Sequence, residues 1–373
     1  MNQEVIISSG SINQLIDVVN RIKPANIFLV RGKHSFEQSG AKKVISKLSE
    51  HFNTIEFNQF SVNPKQEEVD LGYQLFKNHN IQLIIAVGGG SVIDMAKLIK
   101  NEYVTDQMNP DSTALPLIAI PTTAGSGTEA THFAVCYKNG TKVSIAAEYL
   151  VPQVVIIDPQ LLVSQTKYQM AVSGIDAFCQ AVESLWNINA THTSLNFASK
   201  AIQLVWSNLP PALTGDQSAL ENLAIGSFYA GKAINITKTT APHAYSYFFT
   251  NRFGLPHGHA VALFFPFFVN YHAIYFQQEC IHPGGREYFE KLMNNLATSL
   301  GTDLDHIGQV VVNFFQACGL ELDFEKLNIS NQEFLAGLKS VNSERLQNNP
   351  LIIAEERLYQ IYIYNQKLGI NLV

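Results

Sequence analysis

Hydrophobic and polar positions follow two different rhythms along this chain, and the change falls near residue 160. In the first part, short apolar runs bounded by glycine or proline read as buried strands. They are "NIFLVRG" (26–32), "TIEFNQF" (54–60), "IQLIIAVGGG" (81–90), "PLIAIPTT" (116–123), "KVSIAA" (142–147) and "VPQVVIIDP" (151–159). Between them lie a polar helical stretch over 35–50, "KQEEVDLGYQLFKNH" (65–79), and a helix that opens at Ser91. Strands separated by helices predict a mostly parallel, doubly wound sheet, hence an α/β Rossmann-like domain over 1–160. From about 165 onward the apolar residues recur at helical spacing, over 171–186, 191–207, 217–234, 260–278, 285–300, 304–317 and 355–367. This predicts an all-α domain over 161–373.

Two loops of the first domain carry chemistry. "AVGGGSVIDMAK" places Gly88, Gly89, Gly90 and Ser91 between a strand and a helix. Glycines let backbone N–H groups approach a ligand, and the helix N-terminus adds donors and a positive dipole end, a combination suited to a pyrophosphate. It is neither a Walker A sequence nor GxGxxG, and a plain tight turn is the alternative. Asp94 and Lys97 follow in the first turns of the helix, where Asp94 serves the dipole or the ligand. The second loop, "IPTTAGSGTEAT" (120–131), offers the hydroxyls of Thr122, Thr123, Ser126 and Thr128 at the end of the next strand. Ligands of doubly wound sheets bind at such strand ends.

In the second domain, "APHAYSYFFTNRFGLPHGH" holds three histidines in nineteen residues. Two histidines alone make a weak metal site. "SGIDAFCQAVES" supplies a carboxylate, Asp176, in an apolar setting where a charge is costly unless paired or bound to a cation. Gln180 lies four residues on, on the same helical face. Asp176, His243 and His257 would hold a divalent metal with an open position. His259 and His272 read as structural.

Composition narrows the class. The chain is 46% hydrophobic and 15% charged, with net charge −6 and no basic tract, which argues against nucleic acid. Four widely spaced cysteines without CxxC form neither a disulfide framework nor a zinc finger. "MNQEVIISSG" lacks a signal-peptide pattern, and the apolar run at 260–269 is too short to span a bilayer. The expectation is a cytoplasmic protein without a membrane partner, in which the four N-x-S/T sequons are chance. The low charge content favours a homo-oligomer, a dimer at least.

The motifs "GGGSVIDMAK", "IPTTAGSGTEAT", "GIDAFCQAVES" and "APHAYSYFFTNRFGLPHGH", in that order, resemble the iron-containing (group III) alcohol dehydrogenases, whose superfamily also holds glycerol dehydrogenase and dehydroquinate synthase. The resemblance runs from about residue 5 to beyond 275. It implies a Rossmann-like domain, a helical domain, an active site in the cleft between them, a divalent metal (Fe2+ or Zn2+) and NAD(H) or NADP(H). Asp176, His243 and His257 fall on metal ligands. Gln180 falls where most members carry a histidine ligand and would coordinate through its amide oxygen. Tyr247 falls where many members carry a further histidine, so it, His259 or solvent would relay the proton. Gly32 falls where NAD-dependent relatives often carry aspartate; with Arg31 and Lys33 beside it, NADPH or dual use is expected. "LVRGKHSFEQSGA" and Gln180 are similar to the phosphonoacetaldehyde reductase branch, which implies reduction of phosphonoacetaldehyde to 2-hydroxyethylphosphonate. Lys142, Lys238 and Arg252 are the candidate cations for the phosphonate, and Lys142 joins His257 and Tyr247 as a catalytic candidate. The alternatives are a reductase of another small aldehyde or sugar, a lyase or cyclase of the dehydroquinate synthase type, and a nucleotide-binding protein that has lost its chemistry.

Overall fold

The computed structural model describes residues 3–108, 113–138, 141–341, 343–354, 357, 360, 361 and 363. They form two compact units, Met1–Thr166 with Gly215–Gly231, and Lys167–Thr214 with Lys232–Val373.

The first unit runs β1 (Glu4–Ile7), α1 (Leu15–Ile22), β2 (Asn26–Arg31), α2 (His34–Gln38), α3 (Ala41–Ser49), β3 (Asn53–Phe57), α4 (Gln66–Lys77), β4 (Leu83–Gly88), α5 (Gly90–Gln107), β5 (Leu117–Pro121), β6 (Phe133–Lys138), β7 (Thr141–Ala146) and β8 (Val154–Ile157). Six strands make one parallel sheet in the order β1-β8-β5-β4-β2-β3. Side chains alternate across it. Phe28, Val30, Ile84, Ala86, Leu117 and Ala119 pack with α4 and α5 on one face. Ile27, Leu29, Ile85, Val87, Ile118 and Ile120 pack with α1 and α3 on the other. A strand buried on both faces reads as an unbroken apolar run, which is why these strands were visible in the sequence.

Two strands were not, β1 and β6. The strand expected at 142–147 lies outside the parallel sheet, paired antiparallel with β6 from Phe133↔Ala146 to Lys138↔Thr141. Only two residues separate Lys138 from Thr141, and so short a connection permits antiparallel pairing alone.

The second unit is helical: α6 (Lys167–Trp186), α7 (His192–Leu213), the end of α8 (Gln217–Thr237), α9 (Ala241–Phe253), α10 (His257–Ala262), α11 (Phe265–Glu279), α12 (Gly285–Ser299), α13 (Ile307–Ala317), α14 (Asn331–Lys339) and α15 (Ser343–Leu346). The helix expected over 355–367 lies mostly outside the described residues. Within α6 nearly every residue from Met170 to Trp186 is buried, polar ones included. Among the described residues one stretch, His257–Glu279, is long and apolar enough to cross a membrane, but 83% of its most apolar window is buried inside the protein, so it is core.

Candidate active site

In the parallel sheet the strand order reverses between β2 and β4, the position where ligands of open α/β sheets bind. The loops after both strands meet there, for the Gly32 amide donates to the Val87 carbonyl at 3.1 Å. Next to it, the Thr122 amide donates to the Gly88 carbonyl at 3.0 Å and ties the glycine turn to the hydroxyl loop. A Cβ on Gly90 would lie 2.6 Å from Ser126 Oγ, so glycine is required where the two loops close on each other. No side chain caps α5, an eighteen-residue helix whose first N–H groups are donors for an anion. Thr122 Oγ1 is buried with no hydrogen-bond partner. A glycine-lined helix start beside an unsatisfied hydroxyl fits the pyrophosphate and ribose of a dinucleotide.

The sequence-predicted residues divide into two groups. Gly88, Gly89, Gly90, Thr122, Thr123 and Ser126 are brought together, with Thr123 3.3 Å from where a Gly89 Cβ would stand. Asp94 and Thr128 brace the loop instead. Asp94 accepts from Thr128 Oγ1 at 2.5 Å and from the Val135 amide at 3.2 Å. Lys97, fully buried, donates to the carbonyls of Thr128, Thr131 and Phe133. Burial brings its ammonium down to about 8, against the pull of Asp94 and Glu129. Ser91 Oγ accepts from the Asn63 amide at 3.3 Å. Lys142 lies on β7, and its charge lowers the Asp94 carboxyl, which burial raises.

Arg31 has a partner that the sequence reading missed. Its Nε donates to Glu56, on the neighbouring strand β3, at 2.7 Å, and its guanidinium lies 4.8 Å from the centre of the Phe36 ring. These residues line a pocket of about 260 Å³ with Lys42, Ser46 and Ser49. Gly32 has little room for a side chain, since a Cβ would fall 2.3 Å from Ser35 Oγ.

In the helical unit Asp176, His243 and His257 converge, one ligand atom from each lying within 4.8 Å of the others. Asp176 sits on α6, His243 in the first turn of α9 and His257 at the start of α10. Gly258 permits the approach: a Cβ there would lie 2.3 Å from the Val172 carbonyl oxygen and 2.8 Å from Asp176 Cβ. Gln180 Nε2 donates to Asp176 Oδ2 at 3.1 Å, while its Oε1 is buried with no hydrogen-bond partner. His243 Nε2 is also buried and makes no hydrogen bond, with Asp176 Oδ1 3.4 Å away. On its other side the ring is hydrogen-bonded to Glu183. Burial alone works against a charged His243, but Glu183 and Asp176 outweigh it and push its pKa up to about 10. Two buried carboxylates around one imidazole thus require positive charge here, which a divalent cation supplies as well as a proton does. Mixed oxygen and imidazole donors with buried, unsatisfied lone pairs fit such an ion.

Tyr247 stacks on His257, ring centres 5.7 Å apart, which places its phenol beside the cluster. His259 is not available as a relay. Its Nδ1 bonds Tyr168 Oη at 2.7 Å and its Nε2 the Glu321 carbonyl at 2.6 Å, so both nitrogens hold α10 in place. His272 packs edge-on against Trp186 in the core. Lys238 and Arg252, expected as phosphonate anchors, stand in exposed ion pairs with Glu344 (2.7 Å) and Glu333 (3.4 Å).

Comparison with known proteins agrees with both halves. The family model described as iron-containing alcohol dehydrogenase matches residues 2–159, and that of the Fe-containing alcohol dehydrogenase C-terminal domain matches residues 170–365. The chain belongs to the iron-containing alcohol dehydrogenase family. It is therefore an oxidoreductase acting on the CH–OH group of a family that uses a divalent metal and NAD(P). It is 28% identical over 380 residues to long-chain-alcohol dehydrogenase 1 of Geobacillus thermodenitrificans, covering 95% of this chain and 92% of that one. To phosphonoacetaldehyde reductase of Streptomyces viridochromogenes it is 29% identical over 295 residues, 74% of this chain and 73% of the relative. The structure of sulfoacetaldehyde reductase from Bifidobacterium kashiwanohense in complex with NAD+ superimposes with a TM-score of 0.84 at 26% identity, covering 98% of this chain and 97% of that one.

Proposed function

We propose that the chain is a metal-dependent, NAD(P)H-linked aldehyde reductase whose substrate is a small aldehyde carrying a tetrahedral acid group, with phosphonoacetaldehyde the leading candidate. The observation that carries the reaction type is the convergence of Asp176, His243 and His257 in a family of alcohol dehydrogenases. The substrate class is supported by two relatives, one a phosphonoacetaldehyde reductase and the other a sulfoacetaldehyde reductase, both of whose names denote acetaldehydes substituted with such an acid.

When bound, a divalent cation polarises the substrate oxygen and a dihydronicotinamide supplies hydride. The chain's own groups do the rest. Asp176, His243 and His257 hold the cation, with Gln180 Oε1 as a fourth, neutral oxygen donor. The amides from Gly88 to Ser91 and the hydroxyls of Thr122, Thr123 and Ser126 hold the cofactor, on a loop that Asp94, Lys97 and Thr128 stiffen. Tyr247 passes a proton toward the product oxygen. Lys142 is kept as the candidate cation for the acid group in this proposal; Lys238 and Arg252 stand in ion pairs at the surface. With Arg31 held by Glu56, we assign use of both NADPH and NADH. The free cysteines fit a reducing cytoplasm, and the low charge content fits a homodimer.

The test is the loss of 340 nm absorbance from NADPH, and separately NADH, with phosphonoacetaldehyde against acetaldehyde and butyraldehyde, using protein loaded with Fe2+ or Zn2+. Turnover confined to phosphonoacetaldehyde supports the full proposal. Turnover of the plain aldehydes alone removes the acid group from it, and no oxidation under any condition removes the reductase.

A further inference from the structure

Glu183 follows Asp176 by seven residues on α6, two turns along the same face. It is fully buried. Its Oε1 accepts from the Thr240 amide at 2.9 Å and the Thr240 hydroxyl at 3.0 Å, with the His243 amide 3.4 Å away, and so caps the first turn of α9. Thr240 is itself fixed from behind, its hydroxyl accepting from Trp186 Nε1 at 2.9 Å. The second oxygen, Oε2, is hydrogen-bonded to His243 Nδ1.

This division of labour sets a tautomer. Oε1 is committed to the donors of α9, so Oε2 is the atom left for the ring. An ionised carboxylate only accepts, so the proton of a neutral imidazole must sit on Nδ1. The lone pair is then on Nε2, the atom that makes no hydrogen bond and faces Asp176. Partners of this kind orient metal-binding imidazoles and raise their basicity.

We propose that Glu183 is the positioning residue of the metal centre, fixing His243 as the Nδ1–H tautomer so that Nε2 is offered to the cation that Asp176 and His257 also hold. This rests on the metal-site reading above. A role limited to capping α9 would leave the tautomer and the metal affinity untouched.

Glu183→Gln separates the two roles. The Thr240 amide is a fixed donor, so the glutamine oxygen takes the capping position and its NH2 group faces His243 Nδ1. A donor there forces the ring proton onto Nε2, where it blocks ligation; the analogous carboxylate-to-amide change, Asp→Asn, in a protease triad gives the wrong tautomer. Zn2+ affinity of the metal-free, full-length protein is measured by competition with a chromophoric chelator, for wild type, Glu183→Gln and His257→Ala. The expected result is a roughly 10–100-fold weaker affinity in Glu183→Gln with its unfolding temperature retained. Selective 15N-histidine labelling of the zinc-loaded protein reads the ring directly: in wild type the proton is on Nδ1 and the metal on Nε2, and in the variant that pattern is lost. Wild-type Zn2+ affinity in a folded Glu183→Gln protein overturns the inference while leaving the metal site standing, provided His257→Ala has lost affinity. If Glu183→Gln does not fold, the zinc-loaded wild type decides: zinc on Nε2 with Nδ1 protonated supports the inference, and zinc on Nδ1 overturns it. Absence of Zn2+ binding in the wild type overturns the metal reading and this inference together.

Discussion

Gln180 Nε2 donates to Asp176 Oδ2 at 3.1 Å, which leaves the amide oxygen as the buried, unsatisfied atom of that side chain. The carboxylate thereby orients a neutral oxygen donor at a position where most of the resembled family carries imidazole. An amide oxygen is a harder and weaker donor than imidazole toward Fe2+ or Zn2+. Gln180→His should therefore hold the metal more tightly, slowing its loss to a chelator about tenfold. Gln180→Ala should lose metal faster than wild type. The measurement is metal content against time in EDTA; equal rates in all three proteins would remove Gln180 from the ligand set.

His257→Ala removes a proposed ligand that is exposed enough to be replaced without leaving a core cavity. Turnover should fall about a thousandfold, since the lost stabilisation of the reacting oxygen is worth several kcal/mol. Cofactor binding, proposed for the glycine turn and the hydroxyl loop, should be unchanged, as read by quenching of protein fluorescence or enhancement of NADPH emission. Activity close to wild type in metal-stripped His257→Ala protein would take the metal out of the mechanism.

What the sequence made legible follows from which interactions are local. The strands at 26–32, 81–90 and 116–123 announce themselves because both of their faces are buried. The glycine turn, the hydroxyl loop and the three ligand candidates were legible from residue types that are costly or conspicuous where they stand. Residues that act through a partner distant in sequence were not. Arg31 looked like a free cation because Glu56 is twenty-five residues away on the next strand. Lys238 and Arg252 looked available because Glu344 and Glu333 lie 106 and 81 residues further along the chain, respectively. Glu183 did leave a signal, a second carboxylate two turns after Asp176 in an apolar helix, which deserved the same question about its charge. β1 and β6 escaped because they are only partly buried, so neither reads as the unbroken apolar run of the central strands.

The Arg31–Glu56 pair bears on cofactor choice. In the proposed cofactor site Glu56 would occupy the guanidinium that could otherwise meet a 2′-phosphate, and its own charge would repel one. Glu56→Ala should therefore raise the ratio of kcat/KM for NADPH over NADH by roughly tenfold, equivalent to about 1.4 kcal/mol, within the range of a charge-assisted hydrogen bond. Arg31→Ala should move the ratio the opposite way. An unchanged ratio in both variants would place the 2′ position elsewhere.

Acid stability offers a test of the helical core that is independent of catalysis. His272 is fully buried against Trp186, and desolvation pushes its pKa down to about 3. In the unfolded chain the same ring titrates near 6.5. Between those two values the unfolded state binds the extra proton, so stability is complete above about pH 6.5 and falls as the pH drops toward 3. The slope from this group approaches about 1.4 kcal/mol per pH unit within that window, and it is a loss on acidification, not a gain. His272→Phe removes the titration. Urea unfolding followed from pH 7 to pH 4 should show a shallower decline in the variant than in wild type, whatever the offset at pH 7. Parallel declines would mean that His272 is protonated in the folded protein, and that the core around Trp186 admits a charge that its burial forbids.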